Sequence, residues 1–164
     1  MRFHELPRNS QLLDALVAAN FLNADIQLLI ESFNQRYEMG YFGSIIESHL
    51  LSEMELGKMI ASHLSARFVS DDESDFFDTE SEIHPSWNYS LAKKYMALPY
   101  AREVSGEKLS RLAVVDPWVE GLRQELQTKE LNDDFELFVL PASLMKQVLC
   151  KCFDIREQLK GGRS

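Results

Sequence analysis

Two cysteines in 164 residues, Cys150 and Cys152, cannot build a disulfide framework, and their scarcity points to a reducing compartment. Two positions apart on a helix, they face directions about 200° apart, so they neither share a metal nor pair easily. Glycine is sparse too, at seven residues, and none forms the G-x-x-x-x-G-K-[ST] loop that cradles phosphates. The pair Gly57-Lys58 lacks the preceding glycine loop, so a P-loop ATPase is excluded for this chain. Neither G-x-G-x-x-G nor G-x-S-x-G occurs. The histidines His4, His49, His63 and His84 show no ligand spacing and read as structural or surface residues, with no metal site. No stretch approaches 18 apolar residues, and Met1 to Asn9 has no signal-peptide layout. Base is in deficit, 17 Lys and Arg against 26 Asp and Glu, which argues against broad duplex binding and against an anionic membrane surface. With these absences, the chain is expected to be a binding or adaptor protein and not an enzyme.

What is present supports a folded core. Hydrophobic residues make up 45%, and a chain of this length buries roughly 70% of its unfolded surface. The acidity is local. Seven carboxylates, against a net charge of −9 for the whole chain, fall between Asp71 and Glu82, so the remainder is nearly neutral.

The first third reads as helical. Asn9 or Ser10 caps a short helix carrying Leu12, Leu13, Leu16 and Val17, and Asn20 fits a turn. Asn23 caps a second helix whose apolar residues Ile26, Leu29, Ile30, Phe33 and Tyr37 make one face. The pattern then repeats. Gly40 breaks the helix, and a short helix bears Ile45, Ile46 and Leu50. Ser52 and Glu55 form a capping box before a helix with Leu56, Met59, Ile60, His63 and Leu64. Leu12 to Phe33 lies over Phe42 to Leu64, and neither half can bury its stripe alone.

Arg67 to Val69 reads as a short strand. The acidic stretch that follows contains Phe76 and Phe77. It reads either as a solvated loop or as a docking peptide for a basic partner, with Asp71, Asp72, Glu73 and Asp75 as steering charges and the two Phe as apolar anchors. In the last half, Pro85 opens a helix with Trp87, Leu91 and Tyr95, and Leu98 to Val104 and Leu109 to Val115 read as strands around a Ser105-Gly106 turn. Asp116-Pro117 ends the second strand and starts a helix with Val119, Leu122 and Leu126. Asp116-Pro117-Trp118 reads as that turn rather than as an acid site. Phe135, Leu137 and Val139 alternate as a third strand, and Pro141 opens a final helix on whose apolar side, or beside it, Cys150 falls. The expected fold is therefore α+β. A helical unit of two helix-turn-helix repeats (1–66) leads through a strand and acidic linker (67–84) into a small three-stranded α/β sandwich (85–158) and a disordered tail (159–164).

Three segments carry a family resemblance. Phe42-Gly43-Ser44-Ile45-Ile46-Glu47-Ser48-His49-Leu50-Leu51-Ser52-Glu53-Met54-Glu55-Leu56 is similar to an L-G-x-L-L-x-x-G-L-I-S-x-x-x-L helix-turn-helix. Leu91-Ala92-Lys93-Lys94-Tyr95-Met96-Ala97-Leu98-Pro99 is similar to a helix running into an x-L-P strand, and Leu109 to Pro117 to an L-x-x-A-x-x-D-P strand and turn. In order and spacing, roughly over residues 10 to 155, they resemble the N-terminal domain of type II secretion and type IV pilus assembly ATPases. The resemblance implies a cytoplasmic docking module for a protein partner in an inner-membrane secretion or pilus platform, recruited to the inner face of that membrane.

In a subset of that family the doubled motif R-L-G-x-x-L-V-x-x-G-x-I binds cyclic di-GMP, which makes this nucleotide the candidate ligand; no other cofactor is implied. In the first copy here Gln11 stands at the Arg position, Leu13 and Asn20 at the two Gly, and Leu12, Leu16, Val17 and Leu22 match. In the second, Tyr41 stands at the Arg position, Phe42 and Gly43 match, one residue is missing before Glu47, and His49 falls near the second Gly. The candidate ligand residues are accordingly Gln11, Leu12, Leu13, Leu16, Val17, Asn20, Tyr41, Phe42, Gly43, Ile46 and His49. Tyr41 can stack on a base, and Asn20 tolerates a left-handed backbone.

Overall fold

The computed structural model describes residues 2–6, 11–70, 81–131 and 134–161; of residues 154–161 and of His4 it describes the backbone alone. After a 3-10 turn at Phe3–Glu5, the helical unit comprises α1 (Leu12–Ala18), α2 (Ala24–Tyr37), α3 (Gly40–Glu47) and α4 (Glu53–Leu64). The cap of α1 is Gln11, not Asn9 or Ser10, which lie outside the described residues. The Asp14 carboxylate accepts the Gln11 backbone N–H at 2.8 Å and closes the first turn. Asn23 caps α2 as expected, its Oδ1 accepting from the Ile26 N–H at 2.9 Å. The capping box of α4 also forms, with the Glu55 N–H donating to Ser52 Oγ at 3.1 Å and the Ser52 N–H to Glu55 Oε1 at 3.4 Å.

The α/β part adds β1 (Arg67–Phe68), β2 (Ser81–Ile83), α5 (Tyr89–Tyr95), β3 (Ala97–Val104), β4 (Glu107–Val114), α6 (Leu122–Thr128), β5 (Glu136–Val139) and α7 (Ala142–Gly161). The sheet has five strands rather than three, in the order β1-β5-β4-β3-β2. The two additional strands are its edges. β1 extends it from the foot of the helical unit, and β2 lies in the segment expected as acidic linker. β2, β3 and β4 form an antiparallel meander, while β5 runs parallel to both β4 and β1. The β3–β4 hairpin closes through Ser105 and Gly106, both left-handed at φ 52° and 82°, as a two-residue turn in a twisted hairpin requires.

Two further helix starts differ from expectation, both near proline. α5 begins after Asn88, whose Oδ1 accepts from the Leu91 N–H at 2.9 Å; Pro85 lies in a turn before it. Trp87 is therefore not on the helix. It is buried, with its indole N–H donating to the Ala97 carbonyl at 2.9 Å, so its polar atom is satisfied. After β4, Asp116 Oδ1 accepts from the Trp118 N–H at 2.9 Å, which holds a turn and delays α6 until Leu122. At its far end α7 reaches Gly161, three residues into the expected tail; residues 162–164 lie outside the described residues.

One hydrophobic core runs through both parts. It joins Leu12, Leu16, Ile45 and Leu56 of the helices to Leu98, Leu112, Leu137 and Val139 of the sheet. The join is made by α4, which packs on β1 and β5. Gly57 makes this approach possible, since a Cβ at that position would stand 2.6 Å from the Phe68 ring.

Candidate functional site

The two helical repeats superimpose through their hydrogen bonds. At the end of α1, Ala19 N–H donates to Ala15 O, Asn20 N–H to Val17 O and Phe21 N–H to Leu16 O. At the end of α3, Ser48 N–H donates to Ser44 O, His49 N–H to Ile46 O and Leu50 N–H to Ile45 O. Asn20 and His49 are both left-handed, at φ 56° and 61°. The same turn thus recurs at a constant offset, and the next helix is capped by Asn23 in one copy and Ser52 in the other.

That offset corrects the register of the second copy. Counted back from His49 along α3, which is continuous from Gly40 to Glu47, no residue is missing. Gly40, not Tyr41, is the equivalent of Gln11. Tyr41 is the equivalent of Leu12, Phe42 of Leu13, and Gly43 of Asp14. Side chains therefore stand at all four glycine positions of the doubled motif: Leu13, Asn20, Phe42 and His49. Neither Arg position carries a guanidinium.

The candidate ligand residues divide by burial. Leu12 and Leu16 are in the core, and Leu13, Tyr41, Phe42 and Ile46 are half-buried against it. Gln11, Asn20 and His49 are exposed, as is Val17, 58% accessible. Gly43 faces Met39 one turn back, and an added Cβ would lie 3.2 Å from Met39 Cβ. The candidate set thus divides between core, half-buried and exposed positions around two matching turns. The proposed docking residues Asp71, Asp72, Glu73, Asp75, Phe76 and Phe77 lie outside the described residues.

Elsewhere, a cavity of about 310 Å³ opens beside β2, lined among others by Glu82, His84, Tyr100, Lys108 and Ser110. Lys108 and Glu82 pair there at 3.6 Å, and His84 Nδ1 lies 2.9 Å from Ser86 Oγ. Burial pushes the Tyr100 hydroxyl up to about 12, with the Arg111 guanidinium pulling the other way. On the sheet, Arg67 and Arg111 both approach the Phe138 ring, at 5.9 and 4.9 Å. Burial also raises the Asp116 carboxyl to about 6, partly offset by its bond from Trp118. Asp116 thus holds the turn that the sequence implied, and in addition carries an expensive charge at neutral pH. Among the described residues no three His, Cys, Asp or Glu side chains come together as a metal site. Cys150, expected at the core or its boundary, is exposed, while Cys152 is half-buried.

The class defined by these elements is an α+β domain: a doubled helix-turn-helix set against a five-stranded mixed sheet. No protein-family model and no curated protein matches the sequence. In three dimensions the chain is similar to a solved structure described as MshE with cdg, at a TM-score of 0.64 and 18% identity. The match covers 87% of this chain and 99% of that one. The likeness is one of fold. Among the described residues no helix is long and apolar enough to cross a membrane.

Proposed function

We propose that this chain is a non-catalytic docking domain of a bacterial secretion, pilus or related envelope system, of the type found at the N-terminus of secretion ATPases. The observation that carries the reading is the fold match to MshE over nearly the full length of both chains. The three sequence segments that resemble the family support it, and so does a helical unit that leaves much of α2 uncovered. On this reading the domain works in the cytoplasm and is recruited to the inner face of the inner membrane through a protein partner. Affinity capture at native expression, read by mass spectrometry, tests it. Enrichment of an inner-membrane component of such a machine is expected; recovery of none contradicts the reading.

A second reading, a cyclic di-GMP receptor, is favoured by the cdg in the neighbour's description and by the matching turns at Asn20 and His49. Against it stand Leu13 and Phe42, which put side chains where the binding motif has none, and the loss of both Arg, which would otherwise stack on or hydrogen-bond a base. Isothermal titration of the chain with cyclic di-GMP decides between the two. Absence of heat at roughly 100 μM leaves only millimolar-class affinity and ends the receptor reading.

A further inference from the structure

The second helices of the two repeats are capped at equivalent residues, Asn23 and Ser52, yet their apolar stripes start at different positions. In α4 the stripe begins with Leu56, four residues after the cap; in α2 it begins with Ile26, three after. One residue is about 100° of rotation, so the stripe of α2 is turned away from the direction in which α4 meets its core. Burial follows. α4 buries Leu56, Gly57, Ile60, Ala61 and Leu64, whereas α2 buries Ile30 alone. α2 packs mainly on α3 and leaves one flank open. On that flank Ile26 and Phe33 are half-buried, Leu29 is 47% accessible and Tyr37 50%. The Phe33 and Tyr37 rings meet at a tilt of 48° with centroids 4.6 Å apart, which stiffens the end of the stripe.

We propose that this flank of α2 is the docking surface for a basic amphipathic helix of a partner protein. The proposal rests on the docking reading above and specifies where and with what chemistry it operates. From Ile26 to Tyr37 the stripe spans about 16 Å, the length over which a helix of three turns lays down its own apolar row. Its surroundings set the sign of the partner. Residues 11–50 carry five carboxylates, Asp14, Asp25, Glu31, Glu38 and Glu47, against a single cation, Arg36. Asp25 adjoins Ile26 at one end of the stripe; at the other, Glu38 follows Tyr37, over whose ring the Arg36 guanidinium lies at 5.3 Å, so the acidic excess is greatest toward the Ile26 end. A second copy of this chain would bring like charges together, whereas a helix flanked by Lys and Arg brings complementary ones.

The probe is a synthetic 18-residue helical peptide with Leu at i, i+3, i+7 and i+11 and Lys among the remaining positions; a second peptide has Glu in place of Lys. Anisotropy titrations use the full chain. Leu28, two residues before Ile30 and about 200° around the helix, is 64% accessible and provides a control on the opposite side. The Lys peptide is expected to bind with a Kd below roughly 100 μM and to weaken about tenfold with L29Q/Y37Q but not with L28Q. Equal weakening by L28Q, equal binding of the Glu peptide, or no binding of either peptide overturns the proposal. So does sedimentation showing a dimer of the chain that L29Q/Y37Q dissociates. If L29Q/Y37Q still captures an envelope component, this surface is wrong and the docking reading stands; if the native chain captures none while the peptide binds at the stripe, the docking reading falls and the surface stands.

Discussion

α2 and α4 occupy the same place in two copies of one motif and have opposite fates. Both follow a left-handed turn, at Asn20 and His49, and both carry a side-chain cap. α4 is wedged between the other helices and the sheet and buries one whole side. α2 sits at the periphery with a comparable number of apolar residues and buries one. Hydrophobic periodicity therefore marks a helix and a face but not what the face meets. In α4 the face meets the core, and in α2 about half of it meets solvent. Local signals agree between the copies because capping depends on residues within one turn. Burial disagrees because it depends on whether a sheet edge is near.

Substitutions sharpen this contrast, the largest effects falling on the α4 side. Ile60 is fully buried between helix and sheet, so Ile60→Ala is expected to cost about 2–5 kcal/mol in chemical denaturation. A loss under about 1 kcal/mol would break the assignment of α4 as the join.

Beside α4, the His63 ring lies 6.4 Å from that of Trp118, in the turn that Asp116 holds. Asp116 is raised from its ordinary 3.8 to about 6, so the folded state disfavours its charge. The stability it contributes is full below pH 3.8, falls as pH rises through about 6, and stays low above. Asp116→Asn keeps an acceptor for the Trp118 N–H and removes the charge. It is expected to gain on the order of 2 kcal/mol over the native chain at pH 7.5 and nothing at pH 3.5. Urea midpoints of both forms measured across that range check it; parallel curves would contradict it.

The glycines in α3 and α4 give a smaller contrast. Gly57→Ala drives a methyl group to 2.6 Å from the Phe68 ring and is expected to cost about 1–3 kcal/mol. Gly43→Ala meets Met39, whose Cβ lies 3.2 Å away and moves only with its backbone, so the contact and the gain in helix propensity oppose each other. Its thermal midpoint is expected to change by less than that of Gly57→Ala. The smallest effect belongs to the open flank, where Leu29→Ala is expected to cost less than about 1 kcal/mol in the same assay as Ile60→Ala.

Much of this fold is legible in the sequence. Asn23, the Ser52/Glu55 box and the Ser105-Gly106 turn each act within a few residues, and each falls where the pattern puts it; the third strand forms as Glu136–Val139, but Phe138 is buried beside Leu137 and Val139, so the expected alternation is lost. The edge strands differ. β1 falls within the Arg67 to Val69 segment that reads as a strand, whereas β2, three residues long, is too short for alternation and exists because β3 offers it a partner farther along the chain. Pro85 and Pro117 are compatible with a helix start, but in both places a downstream residue, Asn88 or Gly121, sets it. The matching turns could be anticipated at Asn20, a residue that tolerates the left-handed region, and at His49 from its place near the second Gly of the motif. An expected deletion near Glu47 disappears once the hydrogen bonds fix the register. The rotation of the α2 stripe was present in the letters, three residues from one cap against four from the other, and gained meaning only when α4 was seen against the sheet.

α2 adds only Ile30 to the core that holds the fold together, and its apolar flank is held open at the surface. Native-state amide exchange tests it most directly. Amides of α4 are expected to open only with global unfolding, while those of α2 open through local fluctuations at a free energy several kcal/mol lower, with α4 still protected. Equal protection of the two helices, tracking global stability together, would contradict the account.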